Sequence, residues 1–98
     1  MNPVPVEAVV VDMGFREWIR TRDCVVVMCQ NPALCAHLPR VRRHGDKENC
    51  LPVCDAHHKE QHDMGRWSWA LKHGLDLTGL AQTYWRRYQQ TRVAVAFR

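Results

Sequence analysis

The segment CDAHHKEQH, residues 54–62, places four potential metal ligands close together. Cys54 and His57 have the C-x-x-H spacing of half a zinc site. His58 and His62 are four residues apart, so on a helix they share one face. Because adjacent helical residues point about 100° apart, His57 and His58 are badly placed to bind one metal from the same helix. The segment therefore predicts two sites, one that stabilises the fold and one that does chemistry.

The length and composition predict one small domain spanning residues 1–98. A chain of this size buries limited apolar surface, so a bound metal would add materially to its stability. The sequence has no apolar run near the roughly 20 residues that cross a bilayer. Residues 1–5 lack the basic-then-apolar layout of a secretion signal. We therefore expect a cytoplasmic protein without a membrane partner, in which cysteines stay reduced.

Five cysteines and six histidines make metal binding the leading interpretation of this composition. An odd cysteine count with histidines nearby favours a metal site over a disulfide framework, and disulfide pairing in a secreted protein is the alternative. Cys24 and Cys29 supply two thiolates on a turn, and Cys54 and His57 supply two more ligands at a strand-to-helix junction. This Cys3His set suits a tetrahedral structural zinc ion that joins the first turn to the later helix.

Two further cysteines compete with that set. Cys35 follows the turn at residues 31–32 and could replace one ligand, and Cys50 lies shortly before Cys54. Unpaired cysteines often behave as small hydrophobic residues buried in a core. We expect that packing role for both Cys35 and Cys50.

Hydrophobic periodicity predicts a chain of mixed helices and strands, which is the α+β class. Short runs rich in β-branched residues predict extended segments, and apolar residues three or four apart predict helices. The expected extended segments are residues 6–12, 24–29, 34–38 and 51–53, of which residues 24–29 lead into a tight turn that carries metal ligands. The expected helices are residues 15–22, 55–64 and 76–91. Residues 39–49 are polar and basic without periodicity, which predicts a loop. Gly65 is expected to end the second helix.

Basic residues cluster in that loop at Arg40, Arg42 and Arg43. The net charge of +4 permits an anionic partner without establishing one. Clusters of this kind are more often solvated surface than phosphate contacts. They are candidate nucleic-acid contacts here because the loop lies next to the predicted metal ligands.

Three stretches occur in a recognisable order, AHL at residues 36–38, ENCLPVC at residues 48–54, and HH at residues 57–58 followed by His62. In these residues the chain resembles the HNH nuclease superfamily, and more narrowly its small phage and prophage proteins. The resemblance covers residues 24–65 and implies a zinc-stapled ββα-metal core with flanking helices. Residues 66–92 would then be a C-terminal helical extension.

The resemblance also implies roles for single residues. His37 would be the general base that takes a proton from water, since a neutral imidazole can do so at physiological pH. His58 and His62 would hold one divalent cation, Mg²⁺, Mn²⁺ or another, to stabilise charge on the scissile phosphate. Asn49 would fix the loop or orient His37. The implied activity is a metal-dependent endonuclease that hydrolyses phosphodiester bonds of DNA, with the loop arginines on phosphates.

One position departs from the common family pattern. Many relatives carry an acidic residue or a histidine just before the general base, where this chain has Ala36. The cation would then have two protein ligands and waters, or would borrow Asp46 or His44 from the loop. The departure keeps open a second reading, a non-catalytic zinc module that binds nucleic acid or a partner in phage recombination or replication. A zinc-stabilised structural domain is the third reading. A homodimer would allow both DNA strands to be cut at once.

Overall fold

Two strands and four helices make up the part of the chain that the structure describes, and they confirm the predicted α+β class. This computed structural model describes residues 11–38 and 45–96, with side chains up to residue 92. In chain order the elements are α1 (Met13–Arg20), β1 (Ala33–His37), β2 (Cys50–Cys54), α2 (Asp55–Met64), α3 (Arg66–His73) and α4 (Leu77–Ala96). Of the strand expected at residues 6–12, only Val11 and Asp12 are described, and neither belongs to a strand.

The two strands pair antiparallel, and β2 continues directly into α2. The register places His37 opposite Cys50. Successive residues of a strand point to opposite faces. Leu51 and Val53 therefore pack in the main core, whereas Cys50 packs under α1. The sheet thus carries the main core on one face and α1 on the other.

Helix α1 begins at Met13, slightly before the expected residue 15, because Asp12 caps its amino end. The Asp12 carboxylate accepts a hydrogen bond from the Phe15 amide at 3.0 Å. Phe15 and Ile19, one turn apart, are fully buried with Cys50. Phe15 also makes an edge contact with Trp85 of α4, with ring centroids 4.9 Å apart. Helix α1 therefore joins the sheet to α4.

Residues 24–29 form the turn expected to carry metal ligands, whereas the strand expected to lead into it is wrong. The Cys29 amide donates to the Val26 carbonyl at 3.0 Å, and Met28 has a φ of +67°. The β-branched run favoured a strand, but an extended segment would hold the Cα atoms of Cys24 and Cys29 about 17 Å apart. The turn instead brings both cysteines to one point and leaves Met28 exposed at its tip.

Helix α2 has the bounds that the sequence predicts. At its amino end the Cys54 sulfur accepts a hydrogen bond from the His57 amide at 3.5 Å. At its carboxyl end Gly65 has a φ of +85°, a conformation that side chains other than glycine rarely adopt. Both ends of the helix that carries the histidines are therefore fixed by particular residues.

The C-terminal extension consists of two helices. The residues that follow Gly65 form α3, a separate helix that the hydrophobic periodicity does not predict. Its residue Trp69 is fully buried. Trp69 packs in the main core with Leu77 and Ala81 of α4. Helix α4 runs to Ala96, past its expected end at residue 91. In the described parts of the chain, no helix is both long and apolar enough to cross a membrane.

Candidate functional site

The four residues predicted as a zinc site lie together in the structure. Their ligand atoms, one each from Cys24, Cys29, Cys54 and His57, lie within 4.8 Å of one another. The turn at residues 24–29 supplies the first two, and the β2–α2 junction supplies the other two. The sulfurs of Cys29 and Cys54 are 3.9 Å apart. Nδ1 of His57 lies 3.2 Å from the Cys54 sulfur and 3.6 Å from the Cys24 sulfur.

This donor set fits a tetrahedral metal ion such as zinc. Zinc binds thiolate sulfur at about 2.3 Å and imidazole nitrogen at about 2.0 Å, so neighbouring ligand atoms lie roughly 3.3–3.8 Å apart. The distances between the ligand atoms are close to that range. The Cys54 amide also donates to the Cys24 sulfur at 3.3 Å, and such donors stabilise thiolates. All five cysteines of the chain have free thiols. The Cys3His set could therefore hold a metal ion.

Local electrostatics distinguish two of these thiols. Burial raises the pKa of Cys54, but hydrogen bonds from the His57 amide and from neighbouring side chains outweigh burial and lower that pKa to about 7. Burial dominates at Cys24 and raises its pKa to about 11. Cys54 is thus the more readily deprotonated of the two, and a thiol must lose its proton to bind a metal.

Glu60 and His73, which the sequence analysis did not select, lie beside His57. Nε2 of His73 is 2.5 Å from one Glu60 carboxylate oxygen, and Lys72 donates to the other at 2.9 Å. The hydrogen bond with His73 lowers the pKa of Glu60 to about 2. Ligand atoms of His57, Glu60 and His73 lie within 4.8 Å of one another. A carboxylate near a metal-binding imidazole orients the ring and raises its basicity. Glu60 comes three residues after His57 on α2, and this spacing could have indicated in the sequence that the two side chains are neighbours.

The remaining histidines of the predicted site share a cavity of about 210 Å³. It is lined by His37, His58, Gln61, His62, Gly65 and Arg66. His37 ends β1, whereas His58 and His62 lie on consecutive turns of α2 with ring centroids 4.6 Å apart. Burial, and then the nearby His62, lower the pKa of His58, which favours the neutral form that binds metals. Three of the four predicted catalytic residues are thus brought together.

His37 is held by the fully buried carboxylate of Asp46. Nε2 of His37 lies 2.8 Å from Oδ1 of Asp46. Nε of Arg16 donates to both carboxylate oxygens at 2.9 Å, and the Asp12 amide donates to Oδ2 at 2.6 Å. Burial raises the pKa of Asp46, but these hydrogen bonds outweigh burial and hold the pKa below its ordinary value. Asp46 is therefore ionised. The sequence suggested Asp46 only as a metal ligand borrowed from the loop, whereas in the structure it contacts His37.

This contact sets the tautomer of His37. An ionised carboxylate only accepts hydrogen bonds, so the Nε2 atom of a neutral His37 carries the ring hydrogen. The lone pair of the ring is then on Nδ1. In the neutral ring, Nδ1 is thus the nitrogen that can accept a proton.

Asn49, the fourth predicted catalytic residue, is buried and anchors the loop between the strands. Its side-chain amide donates to the Gly45 carbonyl at 3.0 Å, and its own carbonyl accepts from the Leu38 amide at 2.8 Å. Asp46 directly follows Gly45 in the same loop. Of the two roles that the sequence left open for Asn49, these contacts support fixing the loop.

Ala36, the position at which the resemblance implies another metal ligand, is buried in the main core. Since neighbouring strand residues point to opposite faces, a side chain at this position reaches the core and not the cavity of His37.

The predicted nucleic-acid contacts Arg40, Arg42 and Arg43, together with His44, lie outside the described residues. Arg66 lines the cavity, and sequence reasoning missed it because a single arginine at a helix start carries no motif.

Cys35 and Cys50, both expected to be buried core residues, differ in how deeply they are buried. Cys50 is fully buried with Phe15 and Ile19, whereas Cys35 is only half-buried. The two thiols interact, and the hydrogen bond with Cys50 lowers the pKa of Cys35. With His37 they form a second group of ligand atoms that all lie within 4.8 Å of one another.

No protein-family model, no curated protein and no solved structure matches this chain. What the chain does must therefore be argued from its own residues and their geometry.

Proposed function

We propose that this protein is a metal-dependent DNA endonuclease of the HNH type, with a ββα-metal core stabilised by zinc. The observation that carries the proposal is the shared cavity of His37 from β1 and His58 and His62 from α2. The order β1, β2, α2 and the Cys3His set at the base of α2 support the same assignment. The hydrogen bond between His37 and Asp46 adds the orientation that a general base requires.

In the proposed reaction, Nδ1 of His37 accepts a proton from a water molecule. The water oxygen forms a bond to phosphorus while the bond from phosphorus to the 3′ oxygen breaks. The leaving oxygen takes a proton from solvent, so the products carry 5′-phosphate and 3′-hydroxyl ends. Asp46 stabilises the imidazolium that forms, because its buried carboxylate contacts Nε2. General-base catalysis of this kind contributes about 100- to 10,000-fold to a rate.

His58 and His62 are the residues that would hold the catalytic cation, Mg²⁺, Mn²⁺ or another divalent ion. Their i, i+4 spacing on α2 and the lowered pKa of His58 fit two neutral imidazole ligands. When bound there, the cation would supply charge stabilisation at the scissile phosphate and the leaving oxygen. With Ala36 in the core and Asp46 hydrogen-bonded to other groups, water would complete the coordination shell.

Positive charge at the cavity supports DNA as the substrate. Arg66 lines the cavity and lies within reach of a phosphate bound there. The loop arginines Arg40, Arg42 and Arg43 are the proposed contacts to neighbouring phosphates, because the described ends of their loop adjoin His37 and Asn49. Such contacts position a duplex without reading its sequence.

A non-catalytic zinc module that binds nucleic acid or a recombination or replication partner is the competing function. The burial of Ala36 favours it, since the position contributes no ligand to the cavity. The two functions differ in what a divalent cation does. A nuclease needs the cation for cleavage, whereas a binding module retains its DNA affinity without any turnover.

The test is cleavage of supercoiled plasmid in the presence of Mg²⁺ or Mn²⁺, with zinc content measured for every variant. His58→Ala and His62→Ala should lose cleavage and keep the structural zinc. Lys59→Ala and Asp63→Ala, exposed neighbours on the same helix, are the matched controls and should retain cleavage. Equal activity in all four variants would refute the cation role. DNA binding without cleavage by the wild type would establish the binding module instead.

A further inference from the structure

A second group of metal-binding side chains lies on the sheet face that α1 covers. Cys50 is directly opposite His37 in the strand register, and Cys35 is two residues before His37 on β1. Residues two apart on a strand point to the same face. The three ligand atoms, two sulfurs and one imidazole nitrogen, all lie within 4.8 Å of one another. The antiparallel register thus brings a Cys2His set together.

This group shares no residue with the Cys3His set, which uses the turn at residues 24–29 and the start of α2. Its surroundings favour a bound cation. Cys50 is fully buried, and Oδ1 of the ionised Asp46 lies 3.8 Å from the Cys50 sulfur. Cys35 and His37 are half-buried, so one side of the group is open to solvent. Three protein ligands with an open position is the arrangement of many non-structural zinc sites.

We propose that Cys35, His37 and Cys50 form a second site for a soft divalent cation such as Zn²⁺, and that its occupancy inhibits the nuclease. The two thiolate ligands, which the pair His58 and His62 lacks, select zinc-like cations over Mg²⁺, which prefers oxygen. The binding claim stands on the geometry of the three side chains. The inhibition claim rests on the proposed function.

Inhibition follows from the two nitrogens of one imidazole ring. A neutral histidine that binds a metal through one ring nitrogen carries its hydrogen on the other. Whichever nitrogen of His37 binds the cation, no lone pair remains to accept a proton from water. The site would therefore remove the general base while leaving His58 and His62 unaltered.

The binding claim is tested by Co²⁺ titration of the purified full chain, with thiolate-to-cobalt charge transfer as the readout. The wild type should bind two thiolate-coordinated ions per chain, and Cys50→Ser and Cys35→Ser should each bind one. Leu34→Ser, a polar change at the neighbouring strand position, is the matched control and should bind two. Cys35 is half-buried, so its variant tests the site even where the change at buried Cys50 disturbs folding. One thiolate-bound ion in the wild type would overturn the proposal.

The inhibition claim is tested by adding excess Zn²⁺ to plasmid cleavage supported by Mg²⁺. The wild type and Leu34→Ser should slow by about tenfold or more, whereas Cys35→Ser should retain its rate. Equal inhibition of Cys35→Ser would place the inhibitory zinc elsewhere, at His58 and His62 for example, and would overturn this claim. Two thiolate-bound cobalt ions without any cleavage would uphold the second site and reject the nuclease. The two proposals therefore fail in different ways.

Discussion

Asp46 controls the geometry of His37, and it does so through contacts that are distant in sequence. It joins His37, Arg16 and the Asp12 amide, which lie 9, 30 and 34 residues away. Each contact either orients the imidazole or compensates the burial of the carboxylate. A buried charge with this many donors is stable only while the donors stay in place.

The first prediction concerns Asp46 as a positioning residue. Asp46→Asn should lower the rate of plasmid cleavage by about 100-fold or more, because an amide no longer fixes the tautomer of His37. Asp63→Asn, an exposed change on α2, is the matched control and should leave the rate unaltered. The pH profile of cleavage should also change, since the base loses its anionic neighbour. An unaltered rate and profile for Asp46→Asn would separate Asp46 from the reaction.

The second prediction concerns Arg16, which donates to both oxygens of Asp46. Arg16→Ala should lower the free energy of unfolding by about 2 kcal/mol, because a buried carboxylate loses a charged donor. Denaturant unfolding at neutral pH measures this change. Arg20→Ala, an exposed residue on the same helix, is the control. A difference of a few tenths of a kcal/mol between the two variants would show that Asp46 does not depend on Arg16.

The third prediction follows from the lowered pKa of Asp46. The ordinary value is 3.8, and the folded-state pKa lies below it, so the ionised group stabilises the fold at higher pH. That stabilisation should be lost as pH falls from 3.8 through the folded-state pKa. Asp46→Asn does not titrate and should lose less stability than the wild type over the same interval. Parallel loss in both proteins, measured by denaturant unfolding, would contradict the stabilising role of ionised Asp46.

Among the helices and strands, α2 is the one whose two ends most affect the candidate sites. Its amino end holds Cys54 and His57 of the Cys3His set, and it carries His58 directly after His57 and His62 one turn further on, so one helix positions both candidate sites. Gly65 ends it with φ +85° and ψ 143°, whereas Gly74 ends α3 in the left-handed helical region with φ +67° and ψ 39°. Asparagine tolerates the second conformation far better than the first.

The fourth prediction compares these two glycines. Gly65→Asn should cost about 1–3 kcal/mol of stability, since its backbone conformation is nearly restricted to glycine. Gly74→Asn should cost clearly less, because asparagine adopts the left-handed region at helix ends. No atom lies near the added Cβ at either position, so the backbone alone decides the difference. Equal losses in thermal unfolding would contradict this account of how α2 ends.

Sequence reasoning predicted the elements whose ends have local signals and missed those defined by distant contacts. The bounds of α2 could be predicted, because Cys54 and Gly65 mark them directly. A turn between Cys24 and Cys29 could be predicted because both are expected to bind one metal, but its extent could not, because its β-branched residues favour a strand. Helix α3 was missed because burial of Trp69 against α4, and not a clear local periodicity, holds it in place.

The candidate site shows the same division. The two halves of the Cys3His set and the pair His58 and His62 each follow from spacing within a short segment, and the structure brings each set together. The contact of Asp46 with His37 and the position of Arg66 at the cavity could not be predicted, since nothing local distinguishes these residues from other charged ones. Their roles arise only when α1, the loop and α3 assemble around β1 and α2.

At the scale of the whole molecule, the Cys3His set joins the turn at residues 24–29 to the start of α2, across the sheet. The chain has 98 residues, and its core is small for a domain of this kind. Metal binding in small domains supplies folding free energy directly. A metal ion bound by the Cys3His set would therefore be part of the fold, independent of a cation at the cavity.

We propose that His37 acts as the general base of a metal-dependent endonuclease. The most direct measurement is cleavage of supercoiled plasmid by wild type and His37→Ala, with Mg²⁺, Mn²⁺ or chelator, after equal zinc content has been verified. We predict cleavage by the wild type that requires the added cation, and a rate for His37→Ala that is lower by about 100-fold or more. Equal cleavage by both proteins, or no cleavage by the zinc-loaded wild type, would contradict the account.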